Sequence, residues 1–178
     1  MELLIADDEE NILELLRRAL GGAHVAVTTA ETAKEAAALL EKKRFDILLT
    51  DICMETPTAG IELARTVRKK FPKTDVLVMT GFGNIDHTIN TLKLGAYDFI
   101  LKPLDLYLVK FAIQRCQERR NLHHRIEMCV RASSTAAASL RALTERLEDP
   151  VYCRAVLEET AHNLEALKAL DSPPKLEF

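Results

Sequence analysis

Five short apolar runs, separated by helical patterns, constrain the fold of the first hundred residues more than any other feature. They are Leu3-Leu4-Ile5-Ala6, Val25-Ala26-Val27, Phe45-Asp46-Ile47-Leu48-Leu49-Thr50, Val76-Leu77-Val78-Met79 and Phe99-Ile100-Leu101. Runs this short and this apolar suit strands of a parallel sheet covered on both faces. Between them, apolar residues recur at helical spacing. Ile12, Leu15, Leu16 and Leu20 share one face, and Ala36, Leu39 and Leu40 share another, opened by Thr32 or Glu31. Ile61, Ala64 and Val67 mark a third helix ending before Phe71-Pro72; Ile85, Ile89 and Leu92 mark a fourth ending at Gly95. Strict alternation of five such units predicts an α/β fold, a doubly wound five-stranded parallel sheet with right-handed crossovers.

In such a sheet the working site lies beyond the carboxyl ends of the strands. The residues at those ends are Asp7-Asp8, Asp51, Thr80-Gly81 and Lys102-Pro103. Three acids, a hydroxyl and an amine are therefore expected on one rim. Oxygen ligands select hard cations, and a few carboxylates with water suit Mg²⁺. A carboxylate attacking phosphorus needs its own charge and the phosphoryl charge neutralised together, which Mg²⁺ and Lys102 can supply. The Thr80 hydroxyl can donate to a phosphoryl oxygen, and Gly81 leaves room beside it. An acidic pair after one strand is commonplace; the same pattern at four strand ends is not.

These motifs carry a family resemblance. Ile5-Ala6-Asp7-Asp8-Glu9, Leu49-Thr50-Asp51-Ile52, Met79-Thr80-Gly81 and Gly95-Ala96-Tyr97-Asp98-Phe99-Ile100-Leu101-Lys102-Pro103-Leu104 resemble the receiver domain of bacterial two-component response regulators over roughly residues 1–120. The stretch Met79-Thr80-Gly81-Phe82-Gly83-Asn84-Ile85-Asp86 is most similar to receivers of the nitrogen-regulation type. The resemblance implies a flavodoxin-like receiver and a role for each matching position. Asp51 accepts a phosphoryl group from a histidine kinase or phosphotransfer protein. Asp7, Asp8 and Asp51, with the backbone carbonyl of Cys53, hold Mg²⁺. Thr80 bonds the phosphoryl group, Lys102 pairs with it, and Phe99 is the switch aromatic that turns inward. The Lys102-Pro103 bond is expected to be cis. One stretch departs from the pattern. The family has Met-Pro after the phosphoacceptor segment and Gly eight residues beyond the Asp. Here Glu55 follows Met54, Pro57 is displaced and Gly60 lies nine residues beyond Asp51, so the loop is one residue longer. Altered kinase docking or phosphoryl lifetime is the expected consequence.

Composition narrows the setting. With 48% hydrophobic and 29% charged residues the chain reads as globular, and a net charge of -3 provides no general attraction to nucleic acid or anionic membrane. No run of about 18 apolar residues is present, so no membrane span is expected. Met1-Glu2-Leu3-Leu4-Ile5 enters the first strand without a basic leader, so no secretory signal is expected. Cys53, Cys116, Cys129 and Cys153 are scattered without a CxxC pair, as in a cytoplasmic protein with reduced thiols. Nitrogen-regulation receivers usually precede an ATPase and a DNA-binding module. No P-loop motif follows here, and Arg119-Arg120 to Arg125 reads as a solvated helix face, so direct nucleic-acid binding is not expected.

The remaining residues, 121–178, read as an all-helical extension. A helix begins near Asp105 and passes Val109, Ile113 and Cys116, with Leu122, Ile126 and Val130 beyond. Ser133-Ser134-Thr135 offers a break or a cap. Leu140, Leu143 and Leu147 form one stripe; Asp149-Pro150 restarts a helix carrying Leu157, Ala161, Leu164 and Leu167, which Asp171-Ser172-Pro173-Pro174 ends. Two such helices form an antiparallel hairpin with unburied apolar stripes, for which a homodimer is the expected solution. His123-His124 lacks the surroundings of a phosphoacceptor histidine and reads as exposed helix surface. The expectation is thus a non-enzymatic phosphoacceptor switch whose phosphorylation and dephosphorylation it catalyses itself. Its rivals are a receiver-bearing piece of a larger regulator, a haloacid-type phosphohydrolase, and an interaction scaffold. The phosphohydrolase needs an Asp-x-Asp after the first strand, which this chain lacks, and a scaffold does not need the full acid–Thr–Lys set.

Overall fold

The computed structural model describes residues 1–81, 96–145 and 150–169. Five parallel strands, β1 (Glu2–Ala6), β2 (Ala26–Ala30), β3 (Ile47–Asp51), β4 (Asp75–Thr80) and β5 (Asp98–Leu101), form one sheet in the order β2-β1-β3-β4-β5. Among the described residues three helices lie between strands: α1 (Glu10–Leu20), α2 (Ala33–Lys42) and α3 (Ala59–Lys70). Two more follow β5: α4 (Leu106–Glu145) and α5 (Pro150–Ala169). The order of strands reverses at β1, where the chain crosses from β2 to β3, and the doubly wound expectation holds. The fourth helical pattern, Ile85 to Gly95, lies outside the described residues.

The apolar runs alternate cleanly between the two faces of the sheet, as the two-residue strand period requires. Leu4, Ala6, Leu48, Ile52, Val76 and Val78 pack with α2 and α3 through Ala36, Leu40, Leu63, Ala64 and Val67. Leu3, Ile5, Ile47, Leu49, Leu77 and Met79 face the other way. They pack with Leu13, Leu16 and Leu20 of α1 and with Val109, Ala112, Ile113 and Cys116 of α4. Every residue of β3 and β4 is buried, which is why these two runs are the most continuously apolar.

The structure corrects several local expectations. In α1 the buried stripe is Leu13, Leu16 and Leu20, and Leu15 is 46% exposed. With 3.6 residues per turn Leu15 stands more than a quarter turn from that stripe. β2 extends to Ala30, past Val27, through half-buried Thr28 and Thr29. It is an edge strand paired only with β1, so its pattern is less apolar than a central strand's. Thr32 caps α2 by accepting a hydrogen bond from the Glu35 N–H at 3.1 Å.

The chain divides into two compact units, Met1–Gln117 and Glu118–Phe178. Ser133-Ser134-Thr135 neither breaks nor caps the helix: α4 is continuous, and the Thr135 hydroxyl donates to the Arg131 carbonyl at 3.1 Å. That back-bond satisfies the hydroxyl without interrupting the helix. Proline occupies the first position of α5, as anticipated; Asp149 and Asp171–Pro174 lie outside the described residues, as do the side chains of Leu143, Leu147, Leu164 and Leu167. Among the described side chains of α5, Val156 and Thr160 are buried, while Leu157 and Ala161 of the expected stripe are exposed. Leu140 is exposed.

Leu49, fully buried at the centre of β3, measures how much the sheet depends on its apolar run. Leu49→Ala is expected to lower the unfolding free energy by roughly 2–5 kcal/mol, through lost transfer energy and the cavity left behind. Urea denaturation of the two proteins checks this; a loss below about 1 kcal/mol would mean that the site collapses around the smaller side chain.

Candidate functional site

The carboxyl ends of the strands bring Asp7, Asp8, Asp51 and Lys102 together. Asp51 is the last residue of β3, and Asp7 directly follows β1; parallel pairing of these neighbours sets the two side by side. A carboxylate oxygen of each of Asp7, Asp8 and Asp51 lies within 4.8 Å of the others. Asp7 is fully buried and Asp51 is 6% exposed, while Asp8 is open to solvent. Lys102 follows β5 and reaches back across the rim. Its Nζ donates to Asp51 Oδ2 at 2.9 Å, Asp7 Oδ2 at 3.0 Å and Glu9 Oε1 at 3.3 Å. The Lys102-Pro103 peptide is cis, as anticipated.

Backbone donors occupy the remaining carboxylate oxygens of the buried pair. The Glu9 N–H donates to Asp7 Oδ1 at 3.0 Å, and the Ile52 N–H to Asp51 Oδ1 at 2.8 Å. Burial nevertheless pushes the Asp7 carboxyl above its ordinary value, against the lowering effect of the Glu9 amide and Lys102. For Lys102 burial acts to lower the ammonium's pKa, but hydrogen bonds to Asp51 and Asp7, with their charges, outweigh it and hold it above its ordinary value. Lys102 is thus a fixed positive charge inside a carboxylate pocket.

The other anticipated residues lie on β4, on β5 and in the loop after β3. Thr80 ends β4, and its hydroxyl donates to the Gly81 carbonyl at 3.3 Å. Phe99 lies on β5 and is 37% exposed. Cys53 is half-buried in the loop after β3, and its thiol donates to the Pro57 carbonyl at 3.5 Å. Two further participants had no role at the site assigned from sequence. Glu9 contacts Lys102, and its signal was the third acid in the Asp7-Asp8-Glu9 row. Gly60 is the second: a Cβ there would stand 1.7 Å from the Asp51 carbonyl oxygen, so only glycine lets α3 start this close to the end of β3. The Gly60 N–H donates to the Ile52 carbonyl at 3.0 Å, sealing that approach.

The donor set fits a hard divalent cation. Three carboxylates converge, all oxygen, and the exposed Asp8 leaves a path for water to complete the shell.

The sequence model for the response regulator receiver domain matches residues 3–114, and the chain belongs to that family. It is a receiver domain of two-component response regulators, of the nitrogen-regulation type. Over 119 residues it is 38% identical to the response regulator protein PilR of Pseudomonas aeruginosa, covering 66% of this chain and 26% of that one. It is 34% identical over 120 residues to the DNA-binding transcriptional regulator NtrC of Salmonella typhimurium, covering 65% of this chain and 25% of NtrC. The chain therefore spans about a quarter of the length of these curated relatives. Among solved structures, a receiver domain protein from Clostridium thermocellum superposes with a TM-score of 0.63 at 28% identity, covering 68% of this chain and 97% of that one. NtrX from Brucella abortus, solved with ADP, gives 0.66 at 26% identity over 72% of this chain and 29% of its own. Among the described residues no helix is long and apolar enough to cross a membrane.

The raised pKa of Asp7 has a consequence for stability. A carboxyl whose pKa is higher folded than unfolded binds more protons in the folded state, so its destabilising effect is present at neutral pH and fades as pH falls through the raised value. In metal-free buffer Asp7→Asn is expected to be at least as stable as the parent at pH 7, with its advantage shrinking as the solution is acidified. Urea titrations at several pH values check the sign; a variant less stable at pH 7 whose deficit shrinks toward acid would contradict it.

Proposed function

We propose that Asp51 is the phosphoacceptor of this receiver, taking its phosphoryl group from a histidine kinase or a phosphotransfer protein. The observation that carries this reading is the Lys102 ammonium, held 2.9 Å from Asp51 and 3.0 Å from Asp7. In the transfer a carboxylate oxygen of Asp51 forms a bond to phosphorus. The bond from phosphorus to the donor breaks, and its electron pair leaves with the donor. Lys102 offsets the charge of the nucleophile and pairs with a phosphoryl oxygen as it arrives. The Thr80 hydroxyl, bonded only loosely to Gly81, turns to donate to another phosphoryl oxygen. Phe99 starts from a partly exposed position and moves inward as Thr80 shifts. Asp7, Asp8, Asp51 and the Cys53 carbonyl would hold Mg²⁺, which when bound supplies positive charge to the phosphoryl oxygens.

The receiver corresponds to residues 1–120 and the helical extension to 121–178 in this reading, and the extension associates with a second copy of the chain. Leu122, Ile126 and Val130 are 56%, 52% and 59% exposed and recur every four residues on α4. A stripe of that kind is covered most directly by a matching helix. Burial of each such side chain contributes about 1.5–3 kcal/mol, enough in number to offset the cost of association.

Two measurements check these proposals. Incubated with a small acyl phosphate and Mg²⁺, the chain is expected to gain one base-labile phosphoryl group by mass, and Asp51→Ala none; a phosphorylated Asp51→Ala protein rules the assignment out. In sedimentation the full chain is expected to dimerise while a chain ending near residue 120 stays monomeric. A full chain that remains monomeric at high concentration excludes the dimer, and equal dimerisation of both moves the interface onto the receiver.

A further inference from the structure

The loop after Asp51 is tied to a helix that takes no direct part in phosphoryl chemistry. Ile52 and Met54 bury their side chains in the core shared with α2 and α3. Glu55 follows and points out of the loop. Its two carboxylate oxygens lie 3.1 and 3.2 Å from the N–H of Ala33, the first residue of α2. That N–H belongs to the first turn, where helix geometry leaves donors without intrahelical partners. A carboxylate at that end also meets the positive end of the helix dipole. The N-cap Thr32 serves Glu35 instead, so Ala33 is left for Glu55.

We infer that Glu55 is a positioning residue that holds the loop so that the Cys53 carbonyl faces the cation of the Asp7–Asp8–Asp51 site; the inference rests on the metal reading proposed above. A carbonyl ligates an ion only if its peptide plane is fixed at the right tilt. Cys53 sits between two buried side chains, Ile52 and Met54, and the Glu55 contact fixes the chain immediately beyond them. The loop is also where this chain departs from the receiver pattern, with Glu55 where that pattern has proline and one residue more before Gly60. Proline would restrain the backbone there by fixing φ. Glutamate imposes no such restraint on its own backbone, and the tether to α2 replaces it.

Removing a residue that orients a metal ligand costs about 10–100-fold in affinity where the contact is well packed. The Glu55 contact is exposed, so about 3- to 10-fold is expected. The test uses the full chain as parent, Glu55→Ala, Glu55→Gln and, as a control, Asp8→Asn, each titrated with Mg²⁺ alone and followed by NMR. In metal-free protein the Ala33 amide is expected to exchange faster in Glu55→Ala and at close to the parent rate in Glu55→Gln, which keeps an acceptor oxygen. Mg²⁺ affinity is expected to fall in Glu55→Ala, with thermal stability little changed, and to recover in Glu55→Gln. Affinity lost in Asp8→Asn but unchanged in Glu55→Ala overturns the positioning role alone. Unchanged affinity in Asp8→Asn overturns the metal reading and this inference with it. An Ala33 amide that exchanges equally fast in parent and Glu55→Ala shows that the tether does not form in solution, and also overturns it.

Discussion

The site depends on one ammonium group held among carboxylates. Without Lys102, Asp7 and Asp51 would place two negative charges side by side in a pocket that excludes most water. Such a pair cannot both stay ionised cheaply. With Lys102 donating to both, the pocket is charged and ordered in advance, which is the state that a nucleophilic carboxylate needs. The cost is visible in Asp7, whose burial raises its pKa despite two favourable partners. Conformational stability is given up at a residue of the proposed cation site, a common compromise at functional positions.

The rest of the fold serves to bring these groups to one rim. Parallel pairing of β1 with β3 and of β3 with β4 lines up the carboxyl ends of adjacent strands. The two buried faces give the sheet its rigidity, so the side chains at the strand ends are placed by packing well below them. Gly60 then lets α3 begin against the Asp51 carbonyl, and no residue with a Cβ can take its place without moving β3 or the helix. The loop between these two points is short and anchored by Ile52, Met54 and Glu55.

Much of this was legible in the sequence, for definite reasons. Asp7, Asp51, Thr80 and Lys102 each end an apolar run, and a parallel sheet converts that linear position into a shared rim. Helix faces are less secure: apolar spacing puts Leu15 on the buried stripe of α1, which in the structure belongs to Leu13. An apolar residue at the boundary of a stripe does not reveal its exposure by identity alone. Ser133-Ser134-Thr135 offers a break or a cap because those residues favour helix ends, yet inside a long helix Thr135 satisfies its hydroxyl on the preceding turn. The contacts of Glu55 with Ala33 and of Glu9 with Lys102 were not legible. They join residues 22 and 93 positions apart, and no local period encodes such a pair.

Of the three clustered aspartates Asp7, Asp8 and Asp51, the proposal makes Asp51 the one whose carboxylate forms the acyl phosphate. Borohydride reduces an acyl phosphate to an alcohol and so marks the modified side chain permanently. Treating the phosphorylated parent chain with borohydride, then mapping its peptides by mass spectrometry, identifies the position directly. The reduced side chain is expected at position 51 and nowhere else; a reduced side chain at position 7 or 8, with position 51 unmodified, rules Asp51 out.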